Sequence, residues 1–159
     1  MKKYAILMCC MGNICRSPTA EGVLRAKLEA AGLSDRVELD SAGTHDYHVG
    51  RAPDPRSQRA ALQRGYDLSA LRARQVVVAD FDRFDLILAM DLHNMSTLRR
   101  LRPEVDPARL RLLMSFATQH RVEEVPDPYY GEGDGFETVL DYVEDACDGV
   151  IALVRRELA

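Results

Sequence analysis

The apolar run Tyr4 to Cys9 leads without a break into Cys10-Met11-Gly12-Asn13-Ile14-Cys15-Arg16-Ser17-Pro18, and no other stretch restricts the fold so severely. The run is too short for a buried helix and suits a buried strand. Ser17-Pro18 reads as a helix start, with serine as N-cap and proline at the first helical position. Ala20, Val23, Leu24, Leu28 and Ala31 then keep helical spacing, and Gly32 suits the stop. A strand, a short polar turn and a helix in immediate succession are the opening unit of an α/β fold.

The remaining pattern continues in kind. Val37 and Leu39 alternate with charged residues, predicting a second strand before Ser41-Ala42-Gly43-Thr44. Asp54-Pro55 repeats the cap-plus-proline signal for a helix running to Gly65. Val76 to Val78 reads as a short strand, Leu86 to Met90 as a clearer one, and Leu110 to Phe116 as another. A helix is expected from Asp91 to Arg102, stopped by Pro103. Phe136, Val139, Leu140, Val143, Cys147, Val150, Ile151, Val154 and Leu158 form one stripe of a long final helix. Strands alternating with helices imply a mostly parallel sheet covered on both faces, a three-layer sandwich within a single domain over residues 1–159. In such folds ligands gather at the carboxyl ends of strands, where Cys10 falls.

Composition narrows the options. With 159 residues, 47% hydrophobic and 29% charged, the chain has the balance of a water-soluble globular domain. No apolar run approaches the roughly 20 residues that span a bilayer, so no membrane partner is expected. Met1-Lys2-Lys3 and the run after it mimic parts of a signal peptide, but Gly12-Asn13 and Arg16 follow directly and no small-residue cleavage site intervenes. A cytoplasmic location is the expectation. The net charge of −4 lacks the basic face that nucleic-acid binding needs. Cysteines stand at 9, 10, 15 and 147 with no CxxC pair, so neither a zinc ribbon nor a thioredoxin-type site is indicated. Cys9 should face away from Cys10 across the strand. Cys147 sits on the apolar stripe, and the histidines 45, 48, 93 and 120 read as surface residues.

The turn itself is chemically specific. Gly12 and Asn13 tolerate the left-handed backbone that lets successive N–H groups converge as an anion nest. The following helix N-terminus adds donors and a positive dipole end. Arg16 contributes a planar fork matched to two phosphate oxygens. The same surroundings favour the thiolate form of Cys10, and the Ser17 hydroxyl can donate to it. Cys10 would thus act as a nucleophile without a histidine base.

Cys10 to Pro18 resembles the phosphate-binding loop of the low-molecular-weight protein tyrosine phosphatases. The resemblance extends through Ser41-Ala42-Gly43-Thr44, Asp54-Pro55-Arg56-Ser57, Ala73-Arg74-Gln75, Ala89-Met90-Asp91 and Asp127-Pro128-Tyr129-Tyr130-Gly131, nearly the whole chain. It implies a four-stranded parallel sheet with the phosphate loop after the first strand. It implies hydrolysis of phosphotyrosine, or of aryl phosphate monoesters generally, through a cysteinyl-phosphate, releasing inorganic phosphate. Cys10, Arg16 and Asp127 would be catalytic, Asp127 as general acid. Met11, Gly12, Asn13, Ile14, Cys15, Arg16 and Ser17 would bind phosphate. Tyr47, Tyr129 and Tyr130 would rim the pocket, and Asn13, Ser17 and Ser41 would support the loop. Cys15 would capture an oxidised Cys10 as a reversible disulfide. No cofactor and no metal are implied, and the expected form is a monomer, with weak self-association left open. The chain departs from the family at Leu71, where many members carry a histidine that supports the loop asparagine. An arsenate reductase, which shares the loop, would need relay cysteines between Cys15 and Cys147. A silent anion sensor would have no use for Cys10 and Asp127.

Overall fold

In a computed structural model, residues 2–129 and 134–159 are described, and β1 (Tyr4–Cys10) forms the middle of a four-stranded sheet of order β2-β1-β3-β4. β2 (Val37–Gly43) pairs along the full length of β1, from Tyr4 opposite Val37 to Cys10 opposite Gly43. β3 (Leu86–Ala89) lies on its other side, and β4 (Leu110–Leu112) closes the edge. Every pairing is parallel, as alternating strands and helices require.

The parity of β1 divides the core. Ile6, Met8 and Cys10 face a cluster built with α1 (Arg16–Ala30), α2 (Pro55–Gln63) and α5 (Gly135–Glu157). Ala5, Leu7 and Cys9 face a second cluster with Phe81 of α3 (Asp80–Arg83) and Leu98 of α4 (Leu92–Leu101). Cys9 and Cys10 therefore lie on opposite faces, and Cys147 is fully buried. No helix among the described residues is long and apolar enough to cross a membrane.

Three boundaries differ from the sequence pattern. α1 begins at Arg16 with Cys15 as N-cap and no side-chain cap, because the Ser17 hydroxyl is engaged with Cys10 and Asn13 instead. Val76 to Val78 is not a strand: only Gln75 bridges to Gly43, and the Val77 amide donates to the Asp80 carboxylate at 2.8 Å. That bond turns the chain into α3 and leaves Val77 and Val78 exposed. Leu110 to Phe116 is a strand only as far as Leu112, after which a 3₁₀ turn over Leu113–Phe116 tucks Leu113 and Met114 beneath α5. α5 approaches this turn so closely that a Cβ on Gly149 would lie 2.0 Å from the Phe116 carbonyl oxygen.

Candidate active site

The turn after β1 is shaped by where its carbonyls go. Those of Cys10, Met11 and Ile14 accept from the amides of Thr44, His45 and Asp54 at 2.9, 2.9 and 2.8 Å. A planar trans peptide points its N–H opposite to its carbonyl, so the amides of Met11, Gly12 and Cys15 turn the other way, toward the cavity these residues line. Asn13 adopts φ 58°, the single non-glycine residue with positive φ among the described residues. Asparagine tolerates this conformation better than other side chains. Gly43, at the end of β2, lets the turn pass: a Cβ there would sit 2.7 Å from the Met11 carbonyl oxygen.

Asn13 is held from every side. Its Nδ2 donates to Ser17 Oγ at 2.8 Å and Ser41 Oγ at 3.0 Å, and its Oδ1 accepts from the Arg74 amide at 3.0 Å. Ser41 in turn donates to Glu21 Oε1 at 2.7 Å, and Glu21 Oε2 accepts from Arg25 at 2.7 Å. The support missing at Leu71 is thus met by the backbone of Arg74 and by a chain of hydroxyls ending on Glu21, while Leu71 packs against the core. Burial pushes the Glu21 carboxyl above its ordinary value, although Ser41 and Arg25 oppose the shift. Glu21 was not legible as part of the site, since its place on α1 reads only as a polar position.

Cys10 Sγ lies 3.0 Å from Ser17 Oγ and accepts the Asn13 amide at 3.3 Å. Arg16 is 2% exposed. Its Nη1 donates to Asp91 Oδ2 at 2.6 Å and to the Val125 carbonyl at 3.1 Å, and its Nη2 lies 3.7 Å from Asp127 Oδ2. Burial disfavours the guanidinium charge, but Cys10 and the two carboxylates outweigh it and hold the group firmly protonated. Asp127 Oδ1 accepts the Tyr129 amide at 3.0 Å, which fixes the carboxylate over the turn.

Cys10, Met11, Gly12, Ile14, Cys15, Arg16, Asp127 and Tyr129 line one open cleft. The predicted phosphate loop and Asp127 are thereby brought together, and Ser17 and Asn13 stand behind them. Tyr47 is 73% exposed and outside this lining, its ring 5.0 Å from that of His45. Tyr130 lies outside the described residues. His48 is half-buried rather than a surface residue, its ring against Gly12 and 6.2 Å from the Tyr129 ring. His120 is likewise half-buried, with Nδ1 3.0 Å from the Asp145 carboxylate. Cys15 is buried in the turn, where loss of solvent pushes its thiol up to about 12. Among the described residues no group of three or more His, Cys, Asp or Glu side chains could hold a metal ion.

Fold and loop together define a class: α/β proteins with a cysteine at the head of a parallel sheet, set in a turn whose amides face a cleft. Comparison with known proteins narrows it. Residues 5–159 match the model of the low molecular weight phosphotyrosine protein phosphatases. A low molecular weight protein-tyrosine-phosphatase of Streptomyces coelicolor is 47% identical over 158 residues, covering 98% of this chain and 96% of the relative. A crystal structure of a protein tyrosine phosphatase from Entamoeba histolytica superposes with TM-score 0.94 at 38% identity, covering 99% of this chain and 100% of that one. A Drosophila arginine phosphatase superposes with TM-score 0.85 at 30% identity, covering 96% and 97%. The chain belongs to the low molecular weight phosphotyrosine protein phosphatase family.

Proposed function

We propose that this chain hydrolyses phosphotyrosine in proteins, and aryl phosphate monoesters generally, through a cysteinyl-phosphate intermediate. The observation that carries the reading is the convergence of Cys10 Sγ, the inward amides of its turn, the Arg16 fork and the Asp127 carboxylate on one cleft. The thiolate of Cys10, stabilised by the Asn13 amide and the Ser17 hydroxyl, attacks phosphorus in line. Turn amides and Arg16 hold the three equatorial oxygens as the P–O bond breaks. Asp127 gives its proton to the departing phenolic oxygen. Water then attacks phosphorus, Asp127 takes a proton from it, the S–P bond breaks, and inorganic phosphate and the thiolate are released. Met11, Ile14 and Tyr129 give the cleft apolar walls suited to a phenyl ring. Such a slot leaves phosphoserine too short to reach the sulfur.

The test is hydrolysis of para-nitrophenyl phosphate and of phosphotyrosine and phosphoarginine peptides by wild type, Cys10→Ser and Asp127→Ala. Wild type should prefer the aryl esters and be indifferent to EDTA. Cys10→Ser should retain below about one-thousandth of the activity. Asp127→Ala should lose about 10²- to 10⁴-fold on phosphotyrosine. An active serine variant would overturn the mechanism, and turnover of phosphoarginine in preference to phosphotyrosine would overturn the substrate.

A further inference from the structure

Arg56 lies outside the residues assigned to the chemistry, yet it joins the two loops that carry it. Asp54, 7% exposed, is the N-cap of α2, and its amide donates to the Ile14 carbonyl of the phosphate turn at 2.8 Å. The Asp54 carboxylate accepts from Arg56 three times: from the amide at 2.8 Å, from Nε at 3.1 Å and from Nη2 at 2.9 Å. A planar fork gripped in this way has a fixed direction. It points to Tyr129, where Nη2 also donates to the backbone carbonyl at 3.2 Å. The guanidinium carbon stands 5.5 Å from the Tyr129 ring centroid and 4.9 Å from that of Phe136, in the first turn of α5. One cation therefore ties a residue just before the segment 130–133 to one just after it.

The consequence falls on Asp127. Tyr129 offers its carbonyl to Arg56 and its amide to Asp127 Oδ1 at 3.0 Å. The carbonyl and amide of Tyr129 lie in different peptide planes joined only through its φ and ψ. Arg56, by holding both the carbonyl and the ring of this residue, restricts those two torsions and with them the direction of the amide. The amide holds one carboxylate oxygen and leaves Oδ2 over the cleft, 3.7 Å from Arg16 Nη2. We propose that Arg56 is a positioning residue for Asp127, setting through the backbone of Tyr129 the angle at which that carboxyl meets the leaving oxygen. The inference rests on the reading of Asp127 as general acid. Arg56 touches neither phosphorus nor the leaving group. Its effect should appear only where protonation of the leaving group limits bond cleavage.

Leaving-group dependence separates this role from a merely structural one. Values of kcat/KM are measured for phenyl phosphate, whose phenolate leaves poorly unprotonated, and for a nitrophenyl phosphate, whose leaving group needs less help. Arg56→Ala should lower the phenyl phosphate value about 10- to 30-fold and the nitrophenyl value less than about 3-fold, a part of the roughly 10²- to 10⁴-fold that proton transfer contributes. Arg56→Lys, which keeps the charge but lacks the planar fork that fixes the direction of the group, should behave similarly. In an Asp127→Ala background, Arg56→Ala should add less than about 2-fold, since residues acting through one group are not additive. Thermal melting identifies any variant that is not folded, and Arg56→Gln then replaces Arg56→Ala. Equal losses on both substrates, or a full additive loss in the Asp127→Ala background, would overturn the proposal. A flat leaving-group dependence in Asp127→Ala itself would refute the general acid, and the inference with it. A flat dependence in Arg56→Ala alone would refute only the inference.

Discussion

A carboxylate has two oxygens, and Asp91 employs both. Oδ1 caps α4 through the Asn94 amide at 2.7 Å, and Oδ2 holds Arg16 at 2.6 Å. An amide has one acceptor oxygen, so Asp91→Asn must give up either the cap or the guanidinium. Asparagine caps as well as aspartate, so the loss should be felt at buried Arg16. The variant is expected to lose about 1–3 kcal/mol in urea unfolding and roughly tenfold in kcat/KM. Unchanged values would show that Arg16 is aimed without Asp91. Cys10 and Arg16 were legible because the residues that shape their surroundings are adjacent in the chain. Asp127 was legible only through the distant Asp-Pro-Tyr that the family resemblance supplied. Of the groups standing behind them, Asn13, Ser17 and Ser41 were named through the resemblance, but the roles of Glu21, Asp91 and Arg56 were not legible. Asp91 meets Arg16 across 75 positions and Arg56 meets Tyr129 across 73, and no local pattern encodes such pairs.

At the scale of elements, a helix and a turn decide between them what a single residue can be. Gly149 occupies the interior of α5, where replacing an exposed glycine by alanine would gain about 1 kcal/mol. Here the new Cβ would meet the Phe116 carbonyl oxygen at 2.0 Å, and that oxygen belongs to backbone rather than to a movable side chain. Gly149→Ala should therefore destabilise by about 1–3 kcal/mol, opposite in sign to the helical expectation. A raised melting temperature would contradict this packing. The same contact explains why Leu110 to Phe116 misled. Its apolar residues read as a continuous strand, but Leu113 and Met114 are wanted under α5 and only Leu110–Leu112 is wanted at the sheet edge. Val76 to Val78 misled for a related reason, since Asp80 takes the Val77 amide that a ladder would need.

For the molecule as a whole, pH tests how the loops are fastened. Asp54 is held below the ordinary carboxylate range, chiefly by Arg56. Asp145 is also held low: burial opposes ionisation, but the amides of Thr118, His120 and Gln119 and the His120 ring outweigh it. Groups with depressed values contribute stability that is present above the unfolded value of about 3.9 and is lost as pH falls through the folded one. Glu21 works in the opposite sense. Its raised value contributes stability below the unfolded value of about 4.3 that is lost as pH rises through the folded one. Urea midpoints measured against pH should therefore fall below about pH 4 in wild type, and less steeply in Asp145→Asn. Glu21→Gln should instead flatten the change above about pH 4.3. Identical slopes in all three proteins would refute the assignment.

The strand-turn-helix unit and the left-handed turn from Cys10 to Ser17 were determined by the sequence alone, because they rest on residues close enough in the chain to constrain one another's torsions. The parallel sandwich was determined by the order in which strands and helices alternate. Only the tertiary structure decided how Asn13 is supported without a histidine, that Asp91 aims Arg16, and that Arg56 reaches Tyr129. Those contacts depend on which side chains packing brings within hydrogen-bond distance, and hydrophobic periodicity carries no record of that.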